Sequence, residues 1–124
     1  MDLNEIADEL VAGCRQNRAR DNLDKLYASD AVSVEAVDMG QGREVRGIEA
    51  IKAKHDWWES TMEVEEAQVS DPMPHGDDRF AVIFRMRAGE KGSGKMMDME
   101  EVALYSVVGG KIVREEFFYA MEGA

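Results

Sequence analysis

Gly109-Gly110 separates two alternating segments, Met96 to Val108 and Ile112 to Tyr119, and nothing else in the chain limits its fold as tightly. Both glycines reach positive φ at little cost, so a two-residue type I′ turn forms and fixes strand register. With regular pairing Val108 faces Lys111, Tyr105 faces Arg114, Ala103 faces Glu116 and Glu101 faces Phe118. Cross-strand partners share a face. One side therefore carries Glu101, Ala103, Tyr105, Val107, Ile112, Arg114, Glu116 and Phe118. Val102, Leu104, Ser106, Val113, Glu115, Phe117 and Tyr119 fall on the other. The first face mixes carboxylates with aromatic and aliphatic side chains, which is the pattern of a pocket wall. A small molecule is the expected ligand.

The rest of the chain supplies what such a hairpin needs to pack against. Leu3, Ile6, Ala7, Leu10, Val11 and Cys14 recur at three and four residues, predicting an amphipathic helix to about Asn17. Asp21 is placed to cap a short second helix that buries Leu23, Leu26 and Tyr27. Ala31 to Val37 reads as a strand, Met39 to Gly42 as a turn, and Arg43 to Arg46 as a short partner strand. From Gly47 a helical stripe holds Ile48, Ile51, His55, Trp58 and Met62, with Trp57 turned toward another packing surface or a subunit contact. Strands follow at Glu63 to Ser70, Phe80 to Arg87, Met96 to Val108 and Ile112 to Tyr119, broken by the Pro/Gly-rich segment Asp71 to Asp78. Pairing Arg85 and Arg87 with Glu100 and Asp98 joins opposite charges and stacks Phe84, Met86, Met97 and Met99 behind them. The expected fold is α+β, a single domain over 1–124 whose helices cover the concave face of a curved antiparallel sheet.

Charge and cysteine usage narrow the function. A net charge of −11 without a Lys/Arg cluster disfavours nucleic acid and anionic membranes. No apolar run approaches the ~20 residues of a membrane helix, and the acidic start Met1-Asp2-Leu3-Asn4-Glu5 is unlike an export signal. The single Cys14 excludes an internal disulfide and suits the cytoplasm. Gly89 to Lys95 partly matches a phosphate loop, but Met96 stands where Ser or Thr is needed and a strand follows instead of a helix. A hairpin loop is the better account. His55, His75 and Cys14 are too scattered for a metal site, so neither metal nor organic cofactor is expected.

The polar candidates are Glu116, Glu101, Glu35 and His55. A carboxylate among apolar neighbours is costly to charge, which raises its proton affinity toward the range of acid–base work. Arg114 or a tyrosine hydroxyl could instead satisfy Glu101 and Glu116 structurally. Glu35, near a turn, reads as exposed on its own, and His55 reads either as a hydrogen-bonded edge histidine or as a proton-transfer group.

Leu26-Tyr27-Ala28-Ser29-Asp30-Ala31-Val32, Gly47-Ile48-Glu49-Ala50-Ile51 and Gly110-Lys111-Ile112-Val113 leading into Phe117-Phe118-Tyr119 resemble the SnoaL-like branch of the nuclear transport factor 2-like superfamily. The resemblance implies a cone-shaped α+β fold enclosing a pocket, and commonly a dimer. It spans relatives such as ketosteroid isomerases, polyketide cyclases and limonene epoxide hydrolase, and others that only bind or scaffold. It brings Glu35 to the place of the isomerases' general-base aspartate, although the tyrosine those isomerases use on the first helix is absent. It matches Glu116 to a catalytic aspartate of the epoxide hydrolase, whose other two catalytic positions fall at Phe84 and Met86. Pocket-lining positions carry over to Trp58, Met62, Val64, Met99, Glu101 and Phe118. The expected activity is proton transfer on an apolar or polyketide-like molecule, with Glu116 or Glu35 as base and His55 or Tyr105 as hydrogen-bond partner. Tyr27, Phe84 and Arg114 join the expected lining. The alternatives are a binding protein or a dimeric scaffold of the same fold. The homodimer is expected through the outer sheet face, with Val102, Leu104, Val113 and Phe117.

Overall fold

The computed structural model describes residues 1–38, 40 and 42–120. Asp2 opens α1 (Leu3–Arg15) with a capping box: its carboxylate accepts the Glu5 N–H, and the Glu5 carboxylate accepts the Asp2 N–H. The stripe Leu3, Ile6, Ala7, Leu10 and Val11 is buried, as its spacing predicts. In α2 (Asn22–Leu26), Leu23 and Leu26 are buried, but Asp21 makes no side-chain cap because its own backbone is already helical. An N-cap residue needs a non-helical backbone to aim its side chain at the first free N–H groups.

Strand β1 (Tyr27–Val34) starts four residues earlier than the sequence suggests and ends sooner. It pairs with the short β2 (Glu44–Arg46), close to the expected partner strand. Met39 and Gln41 of the expected turn lie outside the described residues. Gly47, at φ 97°, leads into α3 (Ile48–Thr61). Helix α3 stops before Met62, which opens β3 (Met62–Val69) instead of closing the helical stripe. The Pro-containing segment expected as a break holds β4 (Met73–His75), a three-residue strand lying against β5 (Arg79–Glu90). Proline is tolerated in such a short flanking strand. The last hairpin is β6 (Met96–Val108) and β7 (Lys111–Phe118), joined by Gly109 at φ 60° and Gly110 at φ 76°.

The sheet runs β2-β1-β7-β6-β5-β3, with β4 also on β5, and is curved and unclosed. Among the described strands only β1 and β7 run parallel. The charge-matched register holds: Arg85 faces Glu100 at 2.5 Å and Arg87 faces Asp98 at 3.1 Å, with Phe84 opposite Glu101 and Met86 opposite Met99 behind them. Helices α1, α2 and α3 lie on the sheet and enclose Ile6, Leu23, Leu26, Ile51, Val82 and Ile112 with the stacked rings of Phe80 and Tyr105, 4.9 Å apart. None of the described helices is long and apolar enough to cross a membrane.

The β6–β7 register departs from regular pairing at one residue. Val108 faces Lys111 and Val107 faces Ile112, but Ser106 then faces Arg114, so Val113 is an extra residue in a β-bulge. Beyond it Tyr105 faces Glu115, Ala103 faces Phe117 and Val102 faces Phe118. A one-residue shift moves every following side chain to the opposite face. Glu115 is therefore inside, 3% exposed, and Phe117 packs against the core. Arg114, Glu116 and Phe118 turn to the outer face, correcting their expected place on the inner wall. Regular pairing would have buried two charged side chains, Arg114 and Glu116, while leaving Phe117 outside. The bulge replaces that arrangement with one buried carboxylate and one buried ring.

Candidate functional site

Residues Ala31, Ser33 and Glu35 alternate inward from β1, and parallel pairing sets Ser33 beside Glu115 of β7. The Ser33 hydroxyl donates to Glu115 Oε2 at 2.6 Å, while the Tyr27 hydroxyl donates to Glu115 Oε1. Burial pushes the Glu115 carboxyl above its ordinary range; the two hydroxyls and Lys54 oppose that push. Lys54, one helical turn after buried Ile51, reaches down from α3. Its Nζ donates to Ser33 Oγ at 2.7 Å and lies 2.5 Å from Glu35 Oε1. The same ammonium stands 5.4 Å from the centre of the Phe117 ring, within cation–π range. The Tyr119 hydroxyl donates to Glu35 Oε2 at 3.0 Å. One hydrogen-bonded chain thus runs Tyr27, Glu115, Ser33, Lys54, Glu35, Tyr119 from the core to the rim.

Glu101 stands beside this chain without joining it. Half-buried opposite Phe84, its carboxyl has no hydrogen-bond partner among the described residues. Burial, then the charges of Glu35 and Glu115, push it up to about 7, against the pull of Lys54. Tyr105, 3% exposed and register partner of Glu115, is held well above the usual phenol range by burial and by Glu115. Tyr119 is pushed up to about 12 by burial and Glu35. Both phenols stay protonated at neutral pH and are hydrogen-bond donors. A proton acceptor near neutrality beside two phenol donors is equipped for proton transfer at carbon next to an oxygen function.

Two open clefts meet at Phe118 and Tyr119. One, of about 190 Å³, lies between Glu35, Arg43, Phe117 and Tyr119, with Glu116 at its edge. The other, of about 430 Å³, is bounded by Glu100, Glu101, Val102, Phe118, Tyr119 and Ala120.

Of the residues singled out by sequence, Glu35, Glu101, Tyr27 and Tyr105 come together around Lys54 and Glu115. Phe84, Met99, Met62 and Val64 follow the same inner face by register, Val64 being 42% exposed at its open end. His55 and Trp58 are half-buried on α3, with Trp57 57% exposed beside them. Burial, then Lys54 and Arg20, hold the His55 imidazole below its ordinary range, so it is neutral. Glu116 is not gathered into the cluster; its carboxylate accepts from Arg114 Nε at 2.9 Å on the outer face. Phe118, 52% exposed, borders both clefts.

Sequence reasoning missed Ser33, Lys54, Glu115, Phe117 and Tyr119. Lys54 carried a faint signal, a cation three residues after an apolar stripe position. Glu115 carried none without the bulge. Cys14, half-buried, has its thiol pushed up to about 11 by burial and Glu115, so it is a poor nucleophile. No group of three or more His, Cys, Asp or Glu among the described residues could hold a metal ion.

The profile of the SnoaL-like domain matches residues 1–119. Among solved structures, a Mesorhizobium loti protein named as a SnoaL-like polyketide cyclase shares 34% identity at a TM-score of 0.89, over 96% of this chain and 100% of its own. A Jannaschia protein of the same naming shares 21% at a TM-score of 0.72, over 94% and 85% of the two chains. A Bacillus subtilis protein named as an isomerase shares 14% at a TM-score of 0.79, over 97% and 90%. The latter two likenesses are of fold alone. No curated protein matches the sequence. A profile match across nearly the whole chain and a relative one-third identical over its full length agree with the geometry: this chain belongs to the SnoaL-like domain family.

Proposed function

We propose that this protein binds a small organic molecule with an apolar skeleton and moves a proton on it, with Glu101 as the group that takes and returns the proton. The observation that carries the reading is the Glu101 carboxyl: half-buried, unpaired among the described residues, and pushed up to about 7 by burial and then by the charges of Glu35 and Glu115. Near neutral pH it is divided between acid and base, the condition under which one side chain can abstract a proton and deliver it elsewhere. Tyr119, which lines both clefts, would redirect its O–H from Glu35 to the oxygen on which negative charge develops. Phe84, Phe117 and Met99 would exclude water around the reacting carbon. The naming of the one-third-identical Mesorhizobium loti relative as a polyketide cyclase supports chemistry of this class.

A test independent of the natural substrate is exchange of α-protons of simple cyclic ketones in D2O, followed by NMR. Glu101→Gln keeps shape and removes the base, and is expected to lower exchange by about 10²–10⁴-fold. Exchange by Glu101→Gln at the parent rate would overturn the catalytic reading. The open form of both clefts favours a second reading, binding without chemistry. In that case ketones raise the melting temperature of parent and variant alike while neither exchanges protons.

The reading includes a homodimer in the cytoplasm, assembled through the outer sheet face. Val102 and Phe118, 39% and 52% exposed, are register partners there beside half-buried Leu104. Phe117, expected on that face, leaves it through the bulge.

A further inference from the structure

Glu35 pairs with the Lys54 ammonium, Glu115 is bridged to it through Ser33, and Glu101 stands near by without a contact to it. Three carboxylates and one ammonium, all ionised, would leave two net negative charges in a half-buried volume. Repulsion between carboxylates strengthens as the local dielectric falls, which favours one carboxyl of such a group keeping its proton. The carboxyl that holds the proton is decided by where the cation sits. Lys54 lies 2.5 Å from Glu35 Oε1 and reaches Glu115 through Ser33, by contacts of 2.7 Å and 2.6 Å. It makes no comparable contact with Glu101.

The other titratable groups around the cluster leave this decision to Lys54. Tyr105 on β6 and Tyr119 beyond β7 are protonated phenols, and Cys14 of α1 is a protonated thiol. His55, next to Lys54 on α3, is neutral. The β5 neighbour is the apolar Phe84. Arg43, which lines the cleft beside Glu35, donates to the Glu35 carbonyl and not to its carboxylate.

We propose that Lys54 is the positioning residue of this site: by pairing directly with Glu35 and through Ser33 with Glu115, it leaves Glu101 as the carboxyl that exchanges the proton. The inference rests on the reading of Glu101 as the proton-transfer group, yet it is tested without any substrate. Its single ammonium serves Glu35, just past β1, directly and Glu115 of β7 through Ser33. A lysine that only pinned α3 to β1 would need just the first contact.

The experiment is an NMR titration of ¹³C-carboxyl-labelled glutamates in the parent, Lys54→Met, Lys54→Gln and Lys54→Arg, with Glu101 assigned from Glu101→Gln. In Lys54→Met and Lys54→Gln the highest carboxyl midpoint of the cluster rises by about one pH unit or more, the effect of losing an opposite charge at close range. Lys54→Arg restores the cation and returns the midpoint to the parent value. Should Lys54→Met fail to fold, Lys54→Gln, which can still hydrogen-bond to Ser33, carries the same expectation. A Glu101 midpoint that is unchanged in a folded neutral variant, or that shifts as far in Lys54→Arg as in Lys54→Met, overturns the proposal. If the midpoint follows Lys54 while Glu101→Gln exchanges ketone protons at the parent rate, the catalytic reading falls and this inference stands. If the midpoint ignores Lys54 while Glu101→Gln is inactive, the opposite holds.

Discussion

Glu115 brings a carboxylate to 3% exposure, and two hydroxyls and a bridged lysine are what make that tolerable. A buried charge needs hydrogen-bond partners, and removing one leaves the group partly unsatisfied. Tyr27→Phe and Ser33→Ala should each lower unfolding free energy by about 1–3 kcal/mol, read from urea denaturation midpoints at unchanged slope. Parent-like midpoints in both variants would mean that Glu115 is not held as described. Glu101 was legible in the sequence because a glutamate on an otherwise apolar face is conspicuous. Lys54 was not, because a lysine one position off a helical stripe is usually a solvated side chain snorkelling to water. Its role depends on Ser33 and Glu35 arriving beneath it from β1, which only tertiary structure supplies.

At the scale of elements, local chemistry set almost everything except one phase. The Gly109-Gly110 turn, the Asp2/Glu5 cap and the Arg85–Glu100 and Arg87–Asp98 pairs all appear where their residue types place them. The bulge at Val113 could not be read from alternation, since both phases of β7 bury some apolar and some charged side chains. Its phase is set by competition: Ile112 and Phe117 can both face inward only if one residue is skipped, and Tyr27 and Ser33 must be present to receive Glu115. The parallel β1–β7 pair is also irregular, between Tyr27 and Val32, so neither strand fixes the other by simple counting. Deleting Val113 removes only the extra residue: Arg114 stays opposite Ser106, Glu115 opposite Tyr105 and Phe117 opposite Ala103. The deletion should therefore keep a dispersed amide spectrum and cross-strand NOEs between Tyr105 and Glu115. NOEs in the parent that pair Tyr105 with Arg114 instead would contradict the register described.

For the whole molecule, the same sheet serves two surfaces, a charged cluster inside and an apolar patch outside. Phe118→Glu places a charge on the proposed dimer face and should yield a monomer in sedimentation velocity without loss of melting temperature in the dilute limit. A parent protein that sediments as a monomer at all concentrations would remove the dimer. The inner cluster has a pH signature of its own. Glu101 binds its proton with an affinity of about 7 when folded against an ordinary 4.5. Between those values the folded state holds a proton that the unfolded chain has released, so stability falls as pH rises through that window. Relative to Glu101→Gln, the parent's melting temperature should decline from about pH 4.5 to 7 and run parallel outside that range. The fold was readable from sequence because its main helices and long strands repeat local patterns. The site was readable only in part, because its charge balance is a sum over α3, β1, β6 and β7.

The account turns on Glu101 being poised near neutrality, and the most direct measurement is the titration of its ¹³C-labelled carboxyl in the unmodified protein. A midpoint near 7 is the predicted result, and a midpoint at the ordinary 4.5 would contradict it.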